Sequence, residues 1–107
     1  MGKIDFNCDR LELTKSFKKD MKSFNHNNRV KEALKPVIDI LVNKKPIPDK
    51  YKPHPLTGDL KGFFDIHVLP DVVLVYIPDN DKVVLVRIGN HAKLKLTEQI
   101  IRLFIRE

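Results

Sequence analysis

The period of apolar positions changes several times along the chain, and each change marks an element. Arg10-Leu11-Glu12-Leu13-Thr14 alternates polar and apolar, which predicts a short strand with one face buried. Phe17, Met21 and Phe24 then fall on one face of a helix whose remaining surface carries Lys15, Lys18, Lys19 and Lys22. Asn25-His26-Asn27-Asn28 is a turn cluster. Beyond it Val30, Ala33, Leu34, Val37, Ile38 and Leu41 recur at helical spacing and predict a second amphipathic helix. Pro36 interrupts this pattern and removes one helical hydrogen bond. The expectation is a kink there, or a helix that starts near residue 35 after an irregular turn.

From Asn43 to Pro55 the prolines and lysines read as an ordered connector, neither helix nor central strand. Three strands are predicted next, at Gly62 to Leu69, Val72 to Ile77 and Lys82 to Ile88. The breaks between them, Pro70-Asp71 and Pro78-Asp79-Asn80-Asp81, are short enough to make neighbouring strands antiparallel. Gly89-Asn90 ends the last strand, and Thr97 is placed to cap a helix running to about Arg106. The order predicts an α+β fold: a strand and two helices, an antiparallel three-stranded meander, then a short C-terminal helix. Helices pack on one face of the sheet, and the other face is expected to be available to a ligand.

With 107 residues the chain has room for one core, so residues 1–107 are read as a single domain. Hydrophobic residues make up 42% and charged residues 32%, a balance that excludes a disordered chain. No apolar run reaches membrane-spanning length and the first residues carry no signal-peptide core, so a cytoplasmic protein without membrane contact is expected. Cys8 is the single cysteine; it has no internal disulfide partner and gives little basis for a structural zinc site. Lys and Arg outnumber Asp and Glu by 20 to 14, for a formal charge of +6. Such a charge favours polyanionic partners but is equally met in a lysine-rich solvated surface.

Candidate chemistry concentrates in the second half. His54, His67 and His91 each stand beside a proline, a turn or a strand end. Strand alternation puts Phe63, Asp65 and His67 on one face and Phe64, Ile66 and Val68 on the other. Arg87 breaks the apolar run Val83 to Ile88, on the face of Val83 and Leu85, and there needs a counter-charge or an anionic ligand. Asp65 and Asp71 are the available acids. One histidine near a strand is more often structural than catalytic, but three imidazoles, a carboxylate and a guanidinium form the set RNA cleavage requires. A base takes the 2′-hydroxyl proton, an acid protonates the leaving 5′-oxygen, and a cation holds the phosphate. Imidazole serves both proton steps because its ordinary pKa of about 6.5 leaves both forms populated near neutrality. The same His54, His67, Asp71 and His91 could alternatively hold zinc or manganese. HExxH, glycine-rich phosphate-loop and nucleophile-elbow motifs are absent, which leaves nucleotide-hydrolase and serine-hydrolase readings without support.

Four separated motifs carry a family resemblance: His54-Pro55-Leu56-Thr57-Gly58-Asp59-Leu60-Lys61-Gly62, His67-Val68-Leu69-Pro70-Asp71, Val75-Tyr76, and Arg87-Ile88-Gly89-Asn90-His91. In order and spacing they resemble the YafQ branch of RelE-type toxins, whose pattern runs HPL-x-G-x-x-K-G, H-x-x-PD, [IV]Y and R-x-G-[ST]-H. The resemblance is specific over residues 54–91 and extends to the preceding elements in layout only. It implies a microbial-RNase-like fold, cleavage of messenger RNA in the ribosomal decoding site without metal or cofactor, and neutralisation by a co-expressed antitoxin of DinJ/RelB type. The toxin is then a monomer within a toxin–antitoxin complex, and given its basic charge the antitoxin contact is expected to be acidic.

Carried over position by position, the resemblance makes His91 the general acid, Asp71 or His67 the general base, Arg87 the phosphate clamp and His54 a supporting group. Lys52, Lys61, Lys93 and Lys95 are the expected RNA contacts. Two positions depart from the family, where an aromatic often follows the Pro-Asp pair and another follows the last histidine: this chain has Val72 and Lys95 there. A base that stacks on those aromatics elsewhere has no ring to meet here, so codon preference or rate is expected to differ. The tail after Leu96 is also longer than this branch leads one to expect. The competing readings are a basic RNA-binding module or inactive toxin homologue, and a structural partner protein that interacts through its C-terminal helix.

Overall fold

The computed structural model describes residues 9–24, 26–56 and 60–90. Within them the chain forms β1 (Leu11–Leu13), α1 (Lys15–Ser23), α2 (Asn28–Val42), a 3-10 turn (Asp49–Tyr51), β2 (His54–Pro55), β3 (Phe64–Leu69), β4 (Val72–Asp79) and β5 (Lys82–Asn90). The C-terminal helix expected from Thr97, together with His91, Lys93 and Lys95, lies outside the described residues.

Thr14 ends β1 and starts α1 in one residue. Its backbone is extended, its Oγ1 accepts from the Phe17 N–H at 3.0 Å, and the same hydroxyl donates to the Val86 carbonyl at 2.7 Å. Asn27 caps α2 in the same manner, accepting from the Val30 N–H. Pro36 sits in the interior of α2 rather than in its first turn. The helix therefore begins at Asn28, not near residue 35, and forgoes only the bond that the proline nitrogen would have donated to Glu32. Val30, Leu34, Val37, Ile38 and Leu41 all bury one stripe of α2, and that apolar burial outweighs the missing bond.

The sheet has five strands in the order β1-β5-β4-β3-β2. β3, β4 and β5 make the expected antiparallel meander, β1 joins β5 in parallel, and β2 is an antiparallel edge pair opposite Asp65 and Phe64. The connector before β3 thus contains a two-residue edge strand, compatible with proline because Pro55 lies at the margin of the sheet. Gly62, with φ of +98°, supplies the left-handed residue just ahead of β3.

The main core lies between the helices and one face of the sheet: Phe17, Leu34 and Val37 meet Ile66, Leu74, Leu85 and Ile88, all essentially sealed from solvent. The opposite face is not the open surface expected from the sequence. Val73, Val75 and Val86 are buried there with Leu60 and Phe63, flanked by Leu56, Ile77 and Val84. Valines on this face, coming from strands apolar on both sides, need a cover, and the segment ahead of β3 supplies part of it.

Candidate active site

Strand register brings together residues that are far apart in sequence. His54 of β2 pairs with Asp65 of β3, Asp65 with Val75 of β4, and Val75 with Arg87 of β5, so these four form one row across the sheet. Register partners project to the same side. Because Val75 belongs to the second cluster, the row lies on the side of the sheet opposite the main core. His67, two residues beyond Asp65, pairs with Val73 on the same face.

Two bulges adjoin this row. On β3, His67 pairs with Val73 and Leu69 with Val72, leaving Val68 as the extra residue. On β5, Arg87 pairs with Val75 and Leu85 with Tyr76, leaving Val86 extra. Each bulge adjoins a candidate residue, and such insertions re-aim side chains and sharpen local twist. The second one corrects the expected facing of Arg87. Val83 and Leu85 point into the helix-side core, but the extra Val86 shifts alternation so that Arg87 stands opposite Val75 instead.

The counter-charge of Arg87 is neither Asp65 nor Asp71. It is Asp20 of α1, whose Oδ2 accepts from Nε at 2.7 Å and whose Oδ1 accepts from Nη2 at 3.0 Å. Oδ2 also accepts from the Ile88 N–H at 3.0 Å. The two side chains are 12% and 9% exposed, and Asp20 is the buried charged residue among those described. A side-on bidentate pair of this kind fixes the plane of the guanidinium as well as its place. Sequence reasoning missed Asp20 because α1 is otherwise lysine-rich. The available signal was position: three residues after Phe17, it lies on the apolar side of the helix.

Asp71 occupies the β3–β4 turn, exposed, with its carboxylate 3.3 Å from the Arg29 guanidinium at the start of α2. Val72, the next residue, pairs with Asn90, the sequence neighbour of His91. His67 also borders a cleft of about 490 Å³ between α2, the 3-10 turn and the end of β3, whose walls include Ala33, Pro36, Lys50, Tyr51 and Lys52. Lys50 lies over the Tyr51 ring, 5.1 Å from its centre. His54, Lys52 and Lys61 are solvent-exposed. The described residues therefore combine a histidine that borders a lysine-rimmed cleft, a guanidinium held by a carboxylate and a second carboxylate in the β3–β4 turn. They contain no group of three His, Cys, Asp or Glu side chains placed to hold a metal ion. No described helix is long and apolar enough to cross a membrane.

Comparison with known proteins bears on this arrangement. The mRNA interferase toxin YafQ of Escherichia coli K12 is 35% identical over 85 residues, covering 78% of this chain and 92% of that protein. Among solved structures, a copper-bound variant of a Helicobacter pylori toxin superposes with a TM-score of 0.74 at 38% identity, covering 79% of this chain and 97% of that one. The toxin in the E. coli DinJ–YafQ complex gives a TM-score of 0.71 at 35% identity, covering 78% and 94%. Residues 9–96 match the family model described as bacterial toxin of type II toxin-antitoxin system, YafQ, and the chain belongs to that family.

Proposed function

We propose that the chain is an mRNA interferase, an endoribonuclease that cuts messenger RNA bound to the ribosome and is held in check by a cognate DinJ-like antitoxin. The observation that carries this reading is the sheet row and its bulges, which gather His54, His67 and Arg87 from separate motifs onto one face. The E. coli relative is an mRNA interferase by name, and its complex with DinJ supports a toxin–antitoxin pair; within such a pair this toxin acts as a monomer.

Cleavage proceeds by general acid–base catalysis. Asp71 or His67 takes the proton of a 2′-hydroxyl, the 2′-oxygen attacks the adjacent phosphorus, and the bond from phosphorus to the 5′-oxygen breaks. His91 donates the proton that the leaving 5′-oxygen acquires. Arg87 holds the non-bridging phosphate oxygens as charge builds on them. The products are a 5′-hydroxyl and a 2′,3′-cyclic phosphate, or the 3′-phosphate formed from it. His54 and Arg87 are three strands apart, about 14 Å at usual strand spacing, so His54 supports a flanking part of the message rather than the same phosphate. Lys52 and Lys61, with Lys93 and Lys95 of the C-terminal segment, neutralise neighbouring phosphates, and no metal takes part in the reaction.

The test is to mix the purified chain with ribosomes carrying a short end-labelled message. Position-specific cuts that persist in a chelator, and that disappear with His91→Ala and fall sharply with Arg87→Lys, are the expected result. Retention of the message without cuts would replace this reading with the non-catalytic RNA-binding module. Cuts abolished by the chelator would replace the acid–base mechanism with a metal-dependent one.

A further inference from the structure

We infer that Asp20 is a positioning residue for RNA cleavage, setting the plane of the Arg87 guanidinium so that its outer edge meets the scissile phosphate. The inference rests on the proposed role of Arg87 as the phosphate clamp. A guanidinium has five N–H donors. Asp20 takes the Nε donor and one Nη2 donor. Both Nη1 donors and the second Nη2 donor lie outside the pair, on the end of the fork, where Nη1 and Nη2 can together bind two oxygens of one phosphate.

Asp20 is itself held by the backbone rather than by a loose side chain. β1 runs parallel to β5 only as far as Leu85, after which Thr14 takes over the edge: its N–H donates to the Leu85 carbonyl and its hydroxyl to the Val86 carbonyl. One turn and a half further along α1, Asp20 accepts the Ile88 N–H. α1 is thus fastened to β5 at residues 85, 86 and 88, on both sides of Arg87. Phe17, fully buried between those anchor points, keeps the helix from rolling. The carboxylate therefore reaches Arg87 with its place and orientation already set. A clamp that needs no reorganisation when charge develops lowers the barrier more than one that must be ordered during the reaction.

The opposite effect is conceivable on charge alone, since a carboxylate beside Arg87 also reduces its attraction for phosphate. The two effects separate in kinetics. If Asp20 positions, Asp20→Asn leaves KM unchanged or lower and reduces kcat, by about tenfold to a hundredfold for a misplacement of around 1 Å. If it only masks charge, Asp20→Asn raises turnover.

The experiment is a double-mutant cycle on ribosome-bound message with Asp20→Asn, Arg87→Lys and the pair, each below its unfolding temperature. Asp20→Glu, which retains the charge but displaces it by one methylene, is added as a variant less prone to unfold. The expected result is a fall in kcat for Asp20→Asn and Asp20→Glu that shrinks to less than about twofold when Lys replaces Arg87. An unchanged or raised kcat for both Asp20 variants overturns the inference, as does an equal loss in both backgrounds, which marks a purely structural role. If Arg87→Lys itself cleaves at the parent rate, Arg87 is not the clamp, and the mechanism proposed for the site falls before the role of Asp20 does.

Discussion

The guanidinium of Arg29 meets the carboxylate of Asp71 at 3.3 Å, tying the first turn of α2 to the β3–β4 turn with both side chains more than half exposed. A pair this exposed contributes little to folding, about 0 to 1 kcal/mol. Asp71→Asn and Arg29→Ala are therefore expected to unfold in urea within about 1 kcal/mol of the parent. If Asp71 is the base, the same Asp71→Asn lowers cleavage by about 100-fold or more while His67→Gln does less. The reverse order assigns the base to His67, and near-parental rates for both variants would remove both from the chemistry.

The buried pair behaves differently from this surface one. Asp20→Ala strands a mostly buried guanidinium and orphans the Ile88 N–H, whereas Arg87→Ala leaves Asp20 with that N–H still bonded. Breaking such a pair costs about 3 to 5 kcal/mol when fully buried, and the residual exposure here moderates it. Urea denaturation is expected to rank Asp20→Ala as the less stable variant. Equal midpoints would mean that the Ile88 bond adds nothing to the hold of α1 on β5.

Much of this fold is readable from residue periodicity, and the exceptions have physical reasons. α1 and α2 announce themselves through Phe17, Met21, Leu34 and Leu41 at helical spacing, and the meander through strand runs broken by Pro70-Asp71 and Asn80-Asp81. Pro36 leaves open whether α2 runs through it or starts near residue 35, because local propensity counts the lost bond but not the tertiary burial of Val30 and Leu34. β2 has only His54 and Pro55, too short to display a period, and is a strand solely because Asp65 and Phe64 offer it an edge. The bulge at Val86 is invisible for another reason. Val83 to Ile88 is apolar on both faces apart from Arg87, so an inserted valine leaves no break in alternation. Asp20 as the partner of Arg87 is a contact 67 residues distant, which no local pattern encodes.

Lys52 precedes the motif that contributes His54 and Lys61 lies within it, and both residues are exposed. If they contact RNA phosphates, replacing either with Ala reduces the salt dependence of binding to a short single-stranded RNA blocked at the 2′-position. The slope of log K against log salt is expected to fall by about 0.7 per lysine, with folding stability changed by less than about 0.5 kcal/mol. Slopes equal to the parent in both variants would exclude these lysines from the RNA contact.

Tyr76 stacks on Phe64 with ring centres 5.8 Å apart, its ring buried in the main core. Burial raises its phenol pKa above the usual 10.0, and the negative charge of Asp65 adds to the rise. Both effects disfavour phenolate in the folded chain, so the unfolded chain releases this proton at lower pH than the folded one does. The stability linked to the group is thus complete below pH 10 and declines as the pH rises through the higher folded value. Tyr76→Phe retains the stacked ring but has no proton to lose. Its melting temperature is expected to fall less steeply than the parent's above pH 10, with the two curves nearly parallel at neutral pH. Curves that stay parallel throughout the alkaline range would show that the phenol of Tyr76 ionises as readily in the folded chain as in the unfolded one.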